Sequence, residues 1–290
     1  MIEYSKFLNF YMTYEIRNSG GIEMPVPKEP YSEQEYTALV LETATDAGRI
    51  LLENGAEIFR VEETMQRITR YFGVDHGDFY VLTNGIFTSG SRQIDKAYAR
   101  ILHIPSTGSR LDRVIAVNQL SREIEQGRYT LDEVHERLSK IEAMPASPGW
   151  IQVLACGIGC ACFSVMFGGS WLDGIAALFS GAIMELFMIF AGNKMSKLIG
   201  SMFGSAIGAA LCILCYSIGL GSRLSFMIIG TMMTLIPGVA FTNGVRDIAD
   251  GDYLSGLVRM LDALLVFAGI AVGLALVFAI YHNIFGGMML

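Results

Sequence analysis

The sequence predicts an α-helical membrane protein with five transmembrane helices, preceded by a soluble cytosolic α+β domain. Three observations carry this fold class. Of 290 residues, 52% are hydrophobic and only 17% charged, where soluble domains carry roughly 25% charge. The charge is also segregated: residues 1–149 hold 16 of the 21 Lys+Arg and 22 of the 28 Asp+Glu. Five apolar segments then follow, each near the roughly 20 residues that a helix needs to cross a bilayer.

Residues 1–31 show no sustained period and end in EMPVPKEP, the composition of an arm. Charges interrupt the short apolar stretch of MIEYSKFLNFYMTYEIRNSGG, and no small-residue cleavage site follows, so no signal peptide is read. The domain over 32–143 is accordingly expected in the cytosol. It opens on a Ser-x-x-Glu capping box at Ser32 to Glu35. Val40, Ala44, Ala47 and Leu51 then recur at helical spacing, Gly55 punctuates, and Ile58, Val61, Met65, Ile68 and Phe72 mark a second amphipathic helix ending at Gly73. FYVLTNG, IFTSGS and AYARILHIP read as three short strands, joined at Asn84-Gly85 and by a loop around Asp95. Two helices follow, the second opened by a capping box at Thr130 to Glu133 and striped by Leu131, Val134, Leu138 and Ile141.

MPASPGW supplies a hinge over 144–149. The transmembrane domain over 150–290 places its spans at about 150–168, 171–191, 198–220, 224–241 and 257–281. A cytosolic start puts the C-terminus outside. Lys194, Lys197, Arg246 and Arg259 then face the cytosol against Arg223 alone outside, the expected bias. Trp150 and Trp171 sit at span ends, as interfacial aromatics do. Gly200, Gly204 and Gly208, and again Gly269 and Gly273, space small residues by four, which suits close helix packing either within the chain or between subunits.

Composition excludes several functions. A sequence pI near 5.2 and no basic patch argue against nucleic acid. All five cysteines lie in apolar runs after residue 150, so they read as small buried residues rather than a disulfide framework. No His or carboxylate adjoins them in sequence, so neither a metal site nor a cofactor is expected. No Gly-x-x-x-x-Gly-Lys-Ser/Thr pattern supports an ATP-driven pump.

Charges inside the apolar half need a reason, because burying one in lipid costs a few kcal/mol, about 2.5 to 3.5 on insertion scales. Glu185 is the deepest. It is either turned to a partner or to water, or it is a protonatable group lining a path. Asp173 begins a span, where the helix dipole favours an acid. The stretch LIPGVAFTNGVRDIADGDYLSG carries most. Pro237-Gly238 is expected to break the fourth span, and broken helices free backbone groups that transporters use to hold ions and carboxylates. Asn243, Arg246, Asp247 and Asp250 follow at i, i+3, i+4 and i+7, one helical face. Arg246 either reaches Asp250 or clamps an anionic substrate with its planar fork. Arg259 and Asp262 open the fifth span with the same chemistry. The alternative is a cytosolic loop whose charges are solvated.

LIPGVAFTNGVRDIADGDYLSGLVRMLDALL resembles the signature region of the threonine/serine exporter family. LLENGAEIFRVEETMQRITRYFGV and LDRVIAVNQLSREIEQGRYTLDEVHERLSKI resemble that family's soluble helices, so the resemblance covers about residues 35–285. Single-chain members carry a further, smaller group of membrane helices, whereas this chain ends after five spans. The resemblance therefore implies the larger component of a split exporter, with a small membrane-protein partner supplying the second half. Split members are associated with dicarboxylate (succinate) export, which stands as the alternative to threonine and serine. By motif match the site is Pro237, Gly238, Asn243, Arg246, Asp247, Gly251 and Tyr253, with Asp250 on the same face. Pro237 and Gly238 would open the backbone, Asn243 offer its amide, Arg246 clamp a carboxylate and Asp247 supply a counter-charge.

The leading expectation is a cell-membrane secondary exporter driven by the proton gradient, with Glu185 as proton carrier and not an enzyme. The lipid bilayer and a homo-oligomer stand among the expected partners. Two other readings compete. Thr88, Ser89 and Ser91 with His76 and His103 offer hydrolase groups, although no Gly-x-Ser-x-Gly elbow is present. In a regulatory or assembly subunit, Arg60, Glu62 and Glu63 would be surface or interdomain contacts while the cytosolic domain gates a partner.

Overall fold

The structure, a computed structural model, describes residues 31–74, 77–90, 98–104, 108 and 110–285. Almost all of the N-terminal arm, the loop around Asp95, His76 and Ser91 lie outside these residues. Two compact units meet in sequence at Met144 and Pro145.

In the first unit, α1 (Glu33–Glu53) and α2 (Ile58–Tyr71) are followed by β1 (Gly77–Leu82), β2 (Gly85–Gly90) and β3 (Tyr98–His103), then by α3 (Leu111–Glu125) and α4 (Leu131–Glu142). Both expected capping boxes form, at Ser32/Glu35 and Thr130/Glu133. The predicted stripes become the core: Val40, Ala44, Ala47 and Leu51 of α1 meet Ile58, Val61, Met65 and Ile68 of α2. A Cβ at Gly48 would meet the Met65 side chain, so glycine here lets Met65 of α2 pack closely on α1. Val81 and Ile86 press one sheet face onto these helices, and Val134, Leu138 and Ile141 of α4 close the core.

The sheet is an antiparallel meander in the order β1-β2-β3. Its first turn differs from the Asn84-Gly85 expectation. Leu82 pairs with Gly85, so Thr83 and Asn84 form the loop and Gly85 is already strand. No described non-glycine residue has a positive φ, so Asn84 does not adopt the left-handed conformation of a mirror-image turn. Gly85 is needed for another reason: a Cβ there would crowd the Leu102 carbonyl of β3, at 3.1 Å.

The second unit holds α5 (Gly149–Met166), α6 (Trp171–Phe190), a short 3-10 turn (Gly192–Lys194), α7 (Lys197–Ser217), α8 (Leu224–Met233), α9 (Gly238–Asp250) and α10 (Tyr253–Phe285). Four of these helices are long and apolar enough to cross a membrane, or five spans result if α8 and α9 count as one bent span. The chain is therefore a mostly helical, multi-pass membrane protein. Its burial is inverted relative to a soluble fold. Ile175, Phe179, Ile183 and Leu186 line the outer face of α6, while Ala176, Ala177, Ser180 and Gly181 face inward. Lipid is as apolar as leucine, so large side chains gain nothing by facing inward, and small ones let the helices touch.

The spaced glycines serve seams inside the chain. Gly204 and Gly208 of α7 meet Met184 and Met188 of α6 and Met232 of α8. Gly269 and Gly273 of α10 abut Ser201 and Ser205 on another face of α7. Asp173 caps its own helix as the dipole argument expects, but it also reaches across: its buried carboxylate accepts the backbone N–H groups of Ser222 at 2.6 Å and Arg223 at 3.0 Å, tying the α7–α8 loop to the start of α6.

Candidate functional site

The fourth span breaks where the proline requires it. Position 237 has no N–H to offer the Met233 carbonyl four residues earlier, and α8 ends at Met233. A helix restarts with Pro237 as its N-terminal cap, and the axes of α8 and α9 differ by 60°. The 10 residues of α8 rise only about 15 Å, half of a hydrocarbon layer about 30 Å thick. Open space surrounds the Gly238 backbone, where a Cβ would meet nothing within 4 Å.

The charged stretch after the break is a helix rather than a surface loop. Gly251 ends it in the left-handed conformation, at φ 102°, which favours glycine. The chain then turns directly into α10. That helix has 33 residues, about 50 Å of length, so its first turns extend beyond what a bilayer needs and give α9 a surface to pack on. Gly244 and Gly256 set the approach: a Cβ on Gly256 would lie 2.6 Å from the Gly244 carbonyl, and one on Gly244 3.0 Å from the Gly256 carbonyl.

This close contact brings Asp247 to Arg259. The guanidinium and carboxylate are 3.0 Å apart, with side chains 13% and 1% exposed. Helical side chains lean toward their N-terminus, which carries the Arg259 head back toward the turn, level with Asp247. In that turn, beside Gly251, Asp252 has its carboxyl pushed up by burial and by the neighbouring Asp250 charge, with Arg259 pulling it the other way. Lys197 and Asp262 make a second, exposed link between α7 and α10 at 3.4 Å.

The expected face is thus divided. Asp247 alone turns inward and is engaged by Arg259, a partner that the sequence offers only as a residue at the start of the next span. Asn243 and Pro237 are half-buried, whereas Gly238, Arg246, Asp250 and Tyr253 are exposed. Glu185 is half-buried in α6, away from this charged hairpin in sequence and near the Cys156 thiol of α5.

Sequence reading missed one cluster at the break. Cys156 Sγ lies 3.5 Å from Thr234 Oγ1 and 3.6 Å from the Gly181 carbonyl. Cys160 Sγ is 3.5 Å from Thr234 Oγ1 and 3.7 Å from the Thr231 carbonyl. Cys212 meets the Thr231 hydroxyl at 3.4 Å. All five thiols are free. The cysteines have no carboxylate beside them in sequence, yet the packing of α5 on α6 supplies Glu185. Among the described residues, no group of three or more His, Cys, Asp or Glu side chains could hold a metal ion.

Two of the groups invoked for a hydrolase, Thr88 and His103, are spent on structure. The Thr88 hydroxyl is buried and bonded to Thr45 at 2.9 Å, and the His103 ring bonds the Asn84 carbonyl at 3.1 Å. Arg60 pairs with Glu57 and Glu63 with Arg67, while Glu62 accepts the Val81 N–H of β1 at 3.1 Å. These are contacts within the first unit.

A family model described as "Putative threonine/serine exporter" matches residues 42–281. The chain is 23% identical over 261 residues to a "Probable threonine/serine exporter" of Mycobacterium tuberculosis, covering 89% of this chain and 47% of that protein. It is 22% identical over 251 residues to the "Probable succinate transporter subunit YjjP" of Escherichia coli, covering 86% and 97%. A protein of the same name from Klebsiella aerogenes is 23% identical over 228 residues, covering 78% and 88%. The chain thus spans about half the length of the mycobacterial relative and most of the length of the two enterobacterial ones. No solved structure matches it.

Proposed function

The chain belongs to the threonine/serine exporter family, and from that premise we propose that it is the larger component of a two-chain secondary exporter. It moves small carboxylate-bearing metabolites out of the cell with the proton gradient, together with a small membrane partner. The first unit lies in the cytosol and the C-terminus outside. The observation that carries this reading is the span broken near mid-membrane by Pro237, with α9 folded back onto α10. Half-helices that meet inside a bilayer expose backbone dipoles to small charged solutes, and a helix crossing only for structure has no use for the break. Arg246 is the carboxylate clamp, Asn243 and Gly238 offer hydrogen-bond groups, and Asp250 and Tyr253 border the cytosolic entrance.

Threonine and serine are the first substrate reading. The Asp247–Arg259 pair favours a second. A zwitterion asks for a negative partner for its ammonium, and Asp247 is already neutralised inside the fold. With that carboxylate engaged, a dicarboxylate meets no repulsion from it, which supports a succinate-like substrate. The two relatives matched over most of their length carry succinate transport in their names.

Efflux from preloaded proteoliposomes tests both readings. Serine, threonine and succinate are compared at several pH gradients, with the chain alone and with its small partner. Saturable, gradient-dependent efflux of one substrate is expected with the pair, and Arg246→Ala is expected to bring it to the protein-free level without preventing insertion. Normal efflux by a well-inserted Arg246→Ala removes that residue from the site. No efflux from folded, oriented protein in either preparation overturns the exporter reading in favour of a regulatory subunit.

A further inference from the structure

We propose that residues 1–16, the apolar beginning of the N-terminal arm, dock on the outer face of the three-stranded sheet over Tyr80, Phe87 and Ile101. This contact belongs to the first unit and stands whatever the membrane unit carries.

One face of the sheet is spent on the core, through Val81 and Ile86. The opposite face of an antiparallel sheet meets water and is ordinarily polar. Here it is not. Tyr80 pairs with Phe87 and Phe87 with Ile101, so the three side chains stand in one row across all three strands. The two rings lie 6.0 Å apart. The described residues leave the row bare, with Tyr80 57%, Phe87 40% and Ile101 74% exposed.

What covers such a row must be apolar, carry little charge and be able to reach it. Residues 1–16 meet the first two conditions. Ten of them are apolar or aromatic, among them Tyr4, Phe7, Phe10, Tyr11 and Tyr14, and only Glu3, Lys6 and Glu15 have charged side chains. Aromatic side chains pack edge-to-face or offset on rings such as those of Tyr80 and Phe87. A second copy fits worse, because residues 1–149 hold 22 Asp+Glu against 16 Lys+Arg and two such domains repel. The anionic inner leaflet of a membrane repels the same surplus of acid.

The reach follows from the path of α1. Gly48 lies against Ile86, Thr45 bonds Thr88, and Leu41 lies against Gly77, the partner of Gly90. α1 therefore runs along β2 and leaves the sheet at its Gly77–Gly90 end. From Leu41 back to Glu33 is about 12 Å of helix, and from Gly77 to Tyr80 about 10 Å of strand. With about 10 Å more to pass round the sheet edge, the start of α1 lies roughly 30 Å along the surface from the row. Residues 17–30 supply up to about 45 Å of chain. A tether of that length holds the segment near the row at about millimolar effective concentration.

Hydroxyl-radical footprinting read by mass spectrometry measures the exposure of these side chains in the full chain. The chain is placed in nanodiscs at one copy per disc, and separately in crowded proteoliposomes. In the nanodiscs, deletion of residues 2–16 is expected to raise modification of Tyr80, Phe87 and Ile101 several-fold, and so is the combined Phe7→Ser, Phe10→Ser and Tyr11→Ser variant. Tyr36 and Phe72, buried in the core, should stay protected in every variant and so report an intact fold. In the reverse direction, Tyr80→Ser with Ile101→Ser is expected to raise modification of Tyr4 and Tyr11. A synthetic peptide of residues 1–16 should restore protection to the truncated chain at about millimolar concentration. A row equally reactive with and without the segment overturns the proposal. So does a row equally protected in both, which puts the bilayer or the membrane unit over it. Protection confined to crowded proteoliposomes also overturns it, and assigns the face to a second copy.

Discussion

Replacing Asp247 with alanine would strand the Arg259 guanidinium in a site where its side chain is 13% exposed and its partner oxygen, 3.0 Å away, is gone. Removing one member of a buried pair costs about 3–5 kcal/mol, chiefly because the remaining charge stays desolvated. The same cost is expected for Arg259→Ala, which leaves a carboxylate at 1% exposure. Replacing both with apolar residues of similar volume, Asp247→Leu with Arg259→Met, is expected to recover stability to within about 1 kcal/mol of the parent. In a cycle closed by the single Asp247→Leu and Arg259→Met variants, each of which strands the same buried charge at about 3–5 kcal/mol, the coupling energy is then about 5 kcal/mol or more. Denaturant unfolding in mixed micelles, followed by helical circular dichroism, supplies the four stabilities. Single variants that lose under about 1 kcal/mol, or costs that simply add, would refute the argument that α9 is held to α10 by a desolvated pair. A pair that matters only to substrate would leave all four stabilities alike and change transport instead.

Three other outcomes follow from the packing. Gly273→Ala places a Cβ against the Ser205 side chain and the Met202 carbonyl, so α7 and α10 must separate at a cost of about 1–3 kcal/mol, measurable by the same unfolding assay. Thr88→Val removes a buried bond to Thr45 that spans 2.9 Å and should cost about 1 kcal/mol, with the first unit's unfolding transition moving and the membrane unit's unchanged. Acid unfolding reports on Glu142, whose carboxyl Arg49 holds below its ordinary value through two 2.7 Å bonds. A carboxyl with a lowered folded value stabilises fully above its unfolded pKa of about 4.3, and that contribution fades as pH falls through the lower folded value. Glu142 is half-exposed, so the amount is under about 1 kcal/mol. Glu142→Gln should flatten the acid limb of the stability profile, and an unaltered limb would show that the pair is idle.

The sequence by itself determined what is local. Hydropathy located the membrane helices, because about 20 apolar residues in a row have one low-energy environment. Capping boxes at Ser32 and Thr130 and the stripe from Val40 to Leu51 marked helices of the first unit, since cap and stripe residues act within one or two turns. The proline break was legible for the same reason: a missing N–H at Pro237 is felt at Met233 and nowhere further. The tertiary structure decided everything that joins one helix to another. No spacing announces that Asp247 belongs with Arg259, because their meeting depends on Gly244 and Gly256 drawing two backbones together. The extra length of α10 was hidden as well, since its polar start reads as a loop until α9 covers it. The thiols were hardest to place. A cysteine in an apolar run looks like any small residue, and what distinguishes Cys156 is the carboxyl of Glu185 and the hydroxyl of Thr234, brought to it by two other helices. Inside a bilayer, where apolar burial no longer separates inner from outer faces, polar partners across helices select the packing, and they lie far apart along the chain.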